Sequence, residues 1–142
     1  MAALLDDHLL RDLLAQHLSP ELSQVLDRHQ PATTNLYLHR LARSVVSARG
    51  GTLTGRWSAE HRRQLGRRLL ALPESIQVAP MRTLAYRMAE IAVVHRVSTL
   101  GAEAAAAAEH LGATLCVWDG DDGPGIRRAV AAVGASYRTV AR

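Results

Sequence analysis

Between Glu103 and Val140 the chain alternates helix and strand signals in an order that leaves few folds open. A small-residue helix, Glu103 to Leu111, ends at Gly112, the residue type that closes helices most readily. The apolar run Thr114 to Trp118 follows and breaks into the loop Asp119-Gly-Asp-Asp-Gly-Pro-Gly125. A second helix, Ile126 to Val133, closes at Gly134 and delivers another apolar run, Ser136 to Val140. Two strands joined by one helix are parallel, with a right-handed crossover. Ligands of such sheets sit beyond the carboxyl ends of the strands. Asp119, Asp121 and Asp122 collect there, so the tail points to a site before it says what the site does.

The rest of the chain supplies the partners for that unit. Ala2 to Leu5 reads as a short strand running into Asp6-Asp7, and Leu9, Leu10, Leu13 and Leu14 recur at helical spacing to about His17. Ser19-Pro20-Glu21 starts a helix that stops before Pro31. Thr33 or Thr34 caps a longer one, Asn35 to Ala48, which Gly50-Gly51 ends. Ser58-Ala-Glu60 opens the next, with Leu65, Leu69 and Leu70 inward and its arginines outward, as far as Pro73. Ile76 to Val78 alternates as a strand, and Arg82 to Arg96 is an amphipathic helix with Leu84, Met88, Ile91 and Val94 in one stripe. Four short strands separated by helices predict an α/β domain, three-layer α/β/α, with a short parallel sheet covered on both faces. No linker or repeat divides residues 1–142, so a single domain is expected.

Composition narrows the setting. No apolar run approaches the ~18 residues of a membrane span, and the start lacks the basic front of a secretion signal, so no membrane association is expected. Cys116 is alone, which excludes internal disulfides and fits a reducing cytoplasm. The formal net charge is +4, and every basic residue apart from histidine is arginine. From Arg28 to Leu72 nine arginines face one acid, Glu60, while the remainder of the chain is acidic overall. Arg40, Arg43, Arg62, Arg63, Arg67 and Arg68 are therefore candidate contacts for a polyanion or an acidic partner, or else a solvated face.

Several chemistries are excluded. Histidines at 8, 17, 29, 39, 61, 95 and 110 form no pair at the four-residue helical spacing, and a single cysteine completes no zinc set. Gly123-Pro-Gly125 falls short of a Walker motif or a dinucleotide fingerprint, though a Gly-rich turn opening onto a helix can hold a phosphate. What remains is a convergence of carboxylates. Asp6 ends the first strand and Asp119 ends the strand Thr114 to Trp118. If those strands are neighbours, both side chains emerge at one edge, where a hard divalent cation such as Mg²⁺ can bind and a pair of such ions can activate water for phosphodiester cleavage.

The order of elements and the wording of the tail resemble a PIN-type domain, the family that includes the VapC-type ribonuclease toxins. The segments that carry the likeness are Leu4-Leu-Asp6-Asp-His-Leu-Leu10, Ile76 to Val97, and Arg96-Val-Ser-Thr-Leu-Gly-Ala102 running into Ala108-Glu-His-Leu-Gly-Ala-Thr-Leu-Cys-Val-Trp-Asp119. The resemblance implies four acidic residues around one or two Mg²⁺ or Mn²⁺ ions, RNA as substrate, an antitoxin-like protein partner and a homodimer. Asp6 matches the first acid, with Asp7 as a substitute, and Asp119 matches the fourth. No acid follows Thr34 before Glu60 to serve as the second, Asn35 being the nearest polar residue. The third is expected at Gly101; Glu103 lies two residues on, about 200° round a helix.

Three readings follow. One is a PIN-like domain with weakened or lost cleavage that binds RNA or a protein partner through the arginine-rich middle. A second is an active Mg²⁺- or Mn²⁺-dependent endoribonuclease using Asp6 and Asp119, with Asp7, Glu103, Asp121 or Asp122 as replacements. The third is an α/β phosphate- or nucleotide-binding module built on the Gly123 to Gly125 turn.

Overall fold

Alternation along the first strand already requires two covered faces. In the computed structural model, which describes residues 1–47 and 49–142, Ala3 and Leu5 point into one core and Leu4 into another, and all three are fully buried. That strand, β1 (Ala2–Leu5), lies at the centre of a five-stranded parallel sheet with β2 (Gln30–Thr33), β3 (Gln77–Val78), β4 (Thr114–Trp118) and β5 (Ser136–Val140), in the order β3-β2-β1-β4-β5. Strand order reverses direction between β1 and β4, so their carboxyl ends flank the crevice where an open parallel sheet holds ligands.

Among the described residues eight helices connect and cover the strands: α1 (Asp7–Ala15), α2 (Pro20–Arg28), α3 (Asn35–Val46), α4 (Gly51–Thr54), α5 (Ala59–Leu70), α6 (Met81–His95), α7 (Thr99–Leu111) and α8 (Pro124–Ala132). Side chains set most of their starts. Ser19, Thr34, Ser58 and Ser98 each accept an N–H from the first turn of α2, α3, α5 and α7. Leu9, Leu22 and Val25 of α1 and α2 close one face of the sheet over Ala3, Leu5 and Cys116. On the other face α6, α7 and α8 meet Leu4, Leu115 and Val117, and Ala104 to Ala108 of α7 are all buried there. Residues without side-chain bulk let α7 approach the sheet closely, as the alanine run suggests. The fold is therefore three-layer α/β/α. A satellite core (Leu10, Leu14, Leu41, Leu53, Leu65 and Ile76) holds α3, α4 and α5 against α1.

Three expectations about the elements are corrected, and Leu70 and Val94, expected on buried faces, are exposed. The sheet has a fifth strand, β2, hidden in the sequence by Pro31; β3 begins opposite Ala32, so at Pro31 the strand has a neighbour on one side only, where a missing N–H is tolerated. Gly50 and Gly51, both at positive φ, do not merely end a helix but launch α4, and a Cβ on Gly50 would lie 2.8 Å from the Gly55 backbone. Helix α3 ends at Val46, and Ala48, the expected end, lies outside the described residues. Helix α7 begins at Thr99, four residues ahead of Glu103, because Ser98 caps it. Among the described residues no helix is long and apolar enough to cross a membrane.

Candidate metal centre at the carboxyl edge of the sheet

Asp6 follows β1 directly and caps α1. Its Oδ1 accepts the Leu9 N–H at 2.9 Å and its Oδ2 accepts the Trp118 N–H at 3.0 Å, so one carboxylate ties the end of β1, the start of α1 and the end of β4 together. Burial pushes its pKa up to about 7; the two backbone N–H groups oppose the rise, the Asp7 charge adds to it and His8 opposes it.

Asp7, in the first turn of α1, is completely buried. Its Oδ1 accepts the His8 backbone N–H at 3.0 Å and lies 3.2 Å from His8 Nδ1. Its Oδ2 makes no hydrogen bond among the described residues. Arg40 Nη1, from α3, stands 3.3 Å from that oxygen, an ion pair whose N–H is not aimed along the hydrogen-bond direction. The His8 ring stacks tilted on Trp118, 4.6 Å between centroids, which holds Nδ1 at 3.9 Å from Asp121 Oδ2.

Asp121 comes from the single 3-10 turn Asp119–Asp121 after β4. Asp6, Asp7, His8 and Asp121 thus each offer one ligand atom within 4.8 Å of the others, a cluster that can hold a metal ion. The strand pattern alone points to Asp119 for that role. Asp119 does sit at the same edge, directly after β4, but it is exposed and stands outside the cluster, because the 3-10 turn carries Asp121 back towards α1 instead. His8, which has no helical His partner, belongs to the cluster through Asp7 and Asp121. A run of three polar residues, Asp6-Asp7-His8, immediately ahead of an apolar helix is the signal that marks it.

The remaining candidates serve other ends. Glu103, wholly buried, accepts the Leu36 N–H at 2.8 Å and an Asn35 side-chain N–H at 3.1 Å, closing the N-terminus of α3. Starting α7 at Thr99 turns Glu103 to α3, so it forms no part of the cluster. Asp122 accepts from Arg127 Nη2 at 2.8 Å and from the Tyr137 hydroxyl at 2.7 Å, and these, the guanidinium first, hold its carboxyl below the usual range. That carboxylate lies at the N-terminus of α8, and the Gly123 N–H points to the Tyr137 hydroxyl at 3.4 Å. The turn expected to hold phosphate is thereby already faced by the chain's own acid.

The arginines divide into separate groups. Arg40 faces Asp7, and Arg43 lies near it, exposed, on α3. Arg62, Arg63 and Arg67 rim a groove between α3 and α5, floored by Ala42, Val45 and Leu69. Glu60 engages Arg63 and Arg67, and Arg62 donates to the Ser47 carbonyl at 2.7 Å. Arg68 turns to α1 and donates to the Leu14 carbonyl, so the six do not form one patch.

No family model and no curated protein matches this chain. Among solved structures it is similar to the crystal structure of PAE2754 from Pyrobaculum aerophilum, with 18% sequence identity, a TM-score of 0.57, and alignment over 96% of this chain and 89% of that chain. The fold is shared. At that identity the likeness extends to the fold alone.

Proposed function

We propose that the chain is a PIN-like domain, akin to VapC-type endoribonuclease toxins, in which the cation site is weakened and binding of RNA by arginines of α3 and α5 is the main activity. One observation carries the weakened cation site: among the described residues Asp7 Oδ2 is buried without a hydrogen bond, yet the chain's own Arg40 stands 3.3 Å away. An unpartnered carboxylate oxygen is costly to bury, and a cation is the natural complement. Part of that complement is already supplied by Arg40, which opposes a metal at the same oxygen.

The other acids reduce the site further. Both oxygens of Asp6 and both of Glu103 are engaged by N–H groups, which leaves Asp7, Asp121 and His8 as donors. A mixed carboxylate and imidazole set suits Mn²⁺ better than Mg²⁺, which prefers oxygen. When bound, such an ion activates water and stabilises a leaving oxygen in phosphodiester cleavage. Asp7, Asp121 and His8 would hold such an ion, and the Trp118 ring against His8 orients the imidazole. Arg43, Arg62, Arg63 and Arg67 offer guanidinium groups to phosphates along the neighbouring helices α3 and α5.

Binding of a single-stranded RNA pool across a salt series, with and without Mn²⁺, tests this. Affinity falls linearly on a log–log scale with salt, and Arg62→Glu with Arg63→Glu lowers the slope by about 0.7 for each phosphate no longer neutralised. Cleavage in Mn²⁺ is slow and disappears in Asp7→Asn. Salt-independent binding, or binding indifferent to the charge reversals, defeats the proposal. Rapid multiple-turnover cleavage in Mg²⁺ replaces it with the active-nuclease reading.

A further inference from the structure

A second recess lies between α1 and α5, and nothing in the cation site uses it. Its volume is about 340 Å³, at the small end of ligand pockets, and it is lined by Arg11, Asp12, His17, Trp57, His61 and Arg142, with Gln64 and Arg68 at its side. These residues come from α1, the segment after it, the approach to α5, α5 itself and the segment after β5, so only the tertiary fold assembles them.

Arg11 is the unusual member. It is 3% exposed, and an arginine so buried is normally fully paired. Its Nε and Nη2 donate to Asp12 Oδ1 at 3.0 and 2.8 Å, and its Nη1 donates to the Leu53 carbonyl at 2.6 Å. Five N–H groups are available on a guanidinium, so one remains on each terminal nitrogen. Among the described residues Asp12 supplies the one side-chain carboxylate lining the recess, and both its oxygens are engaged: Oδ1 takes both Arg11 bonds and Oδ2 takes Arg142 Nε at 2.9 Å. The carbonyl end of α1, which alone disfavours an anion, is answered by Arg68 through Leu14. Three guanidinium groups and two imidazoles therefore surround one committed carboxylate, beside the Trp57 ring.

From this geometry we infer that the recess binds a small phosphomonoester, of about nucleoside-monophosphate size, through its dianionic phosphate. Guanidinium forks match phosphate oxygens in pairs, and several converging cations favour a dianion over a monoanion. The recess shares no lining residue with the carboxylate cluster, its nearest link being Arg142 over the Trp118 ring at 4.9 Å, and it does not depend on the RNA reading.

Adenosine 5′-monophosphate, inorganic phosphate and adenosine, titrated in turn into the full chain, decide the matter, with the His17 and His61 ring signals followed by NMR. Adenosine monophosphate and inorganic phosphate shift both histidines saturably; adenosine does not. Gln64→Glu, an exposed change that places a carboxylate in the lining, weakens adenosine monophosphate binding at least fivefold with an unchanged circular dichroism spectrum. Asp7→Asn leaves that binding unaltered. The inference fails if neither phosphate compound shifts the histidines, if adenosine binds as well as its monophosphate, or if Gln64→Glu has no effect. Loss of binding in Asp7→Asn likewise assigns the ligand to the carboxyl edge and overturns it.

Discussion

The carboxylate of Glu103 on α7 accepts the Leu36 N–H on α3 at 2.8 Å, across 67 positions of sequence. One residue thus completes the N-terminus of a helix that its own strand-to-helix turn leaves half capped. Glu103→Ala leaves the half-buried Leu36 N–H and an Asn35 donor without their carboxylate, and costs about 1–2 kcal/mol of stability. Urea unfolding measures it. A stable Glu103→Ala variant that loses Mn²⁺ affinity would mean that this residue is a ligand after all.

Asp6 makes the fold sensitive to pH in the absence of metal. Its folded-state pKa, about 7, lies above the usual 3.8, so the native state holds its proton more firmly than the unfolded chain. The resulting stabilisation is complete below about pH 4 and is lost as pH rises through 7, with a steepest slope of about 1.4 kcal/mol per pH unit. Thermal unfolding in a chelator between pH 4 and 8 should show this decline in the native protein. Asp6→Asn, with nothing to titrate there, should show a flatter profile; parallel profiles would remove Asp6 as the source.

Arg40 and a cation compete for Asp7. The Arg40 side chain is 46% exposed, so solvent screening keeps the pair to roughly 1 kcal/mol or less. Arg40→Ala should accordingly tighten Mn²⁺ binding about two- to fivefold, while Asp7→Asn abolishes it. Calorimetric titration distinguishes the two, and equal affinities in all three proteins would place any bound metal elsewhere.

Close packing of α7 predicts intolerance of bulk. Ala105 is fully buried between the sheet and the neighbouring helices, so Ala105→Leu should destabilise by about 1–3 kcal/mol. Ala89→Leu, on the exposed side of α6, should change the urea midpoint little. Equal effects would mean that α7 is looser than its burial implies.

Much of the scaffold is legible in the sequence because its signals are local. Ser19, Thr34 and Ser58 mark helix starts that the structure reproduces, since a capping oxygen needs only the next turn of its own chain. Elsewhere the local signal misleads. Pro31 reads as a break but lies in β2, where a one-sided neighbour tolerates it, and Glu103 reads as the start of a helix that Ser98 opens earlier. Of the candidate cluster, Asp6-Asp7-His8 is visible as a polar run, whereas the exchange of Asp119 for Asp121 depends on the single 3-10 turn after β4.

The sequence by itself determined the α/β class, the parallel crossover of the tail and the edge at which acids collect, because periodicity, caps and helix-closing glycines act over a few residues. Which acids face one another was decided only by the tertiary structure. A carboxylate's role depends on what donor reaches it: the Trp118 N–H fixes Asp6, the α3 terminus claims Glu103, and Arg40 leaves Asp7 half answered. Those partners are distant in the chain, and folding alone brings them within hydrogen-bond reach.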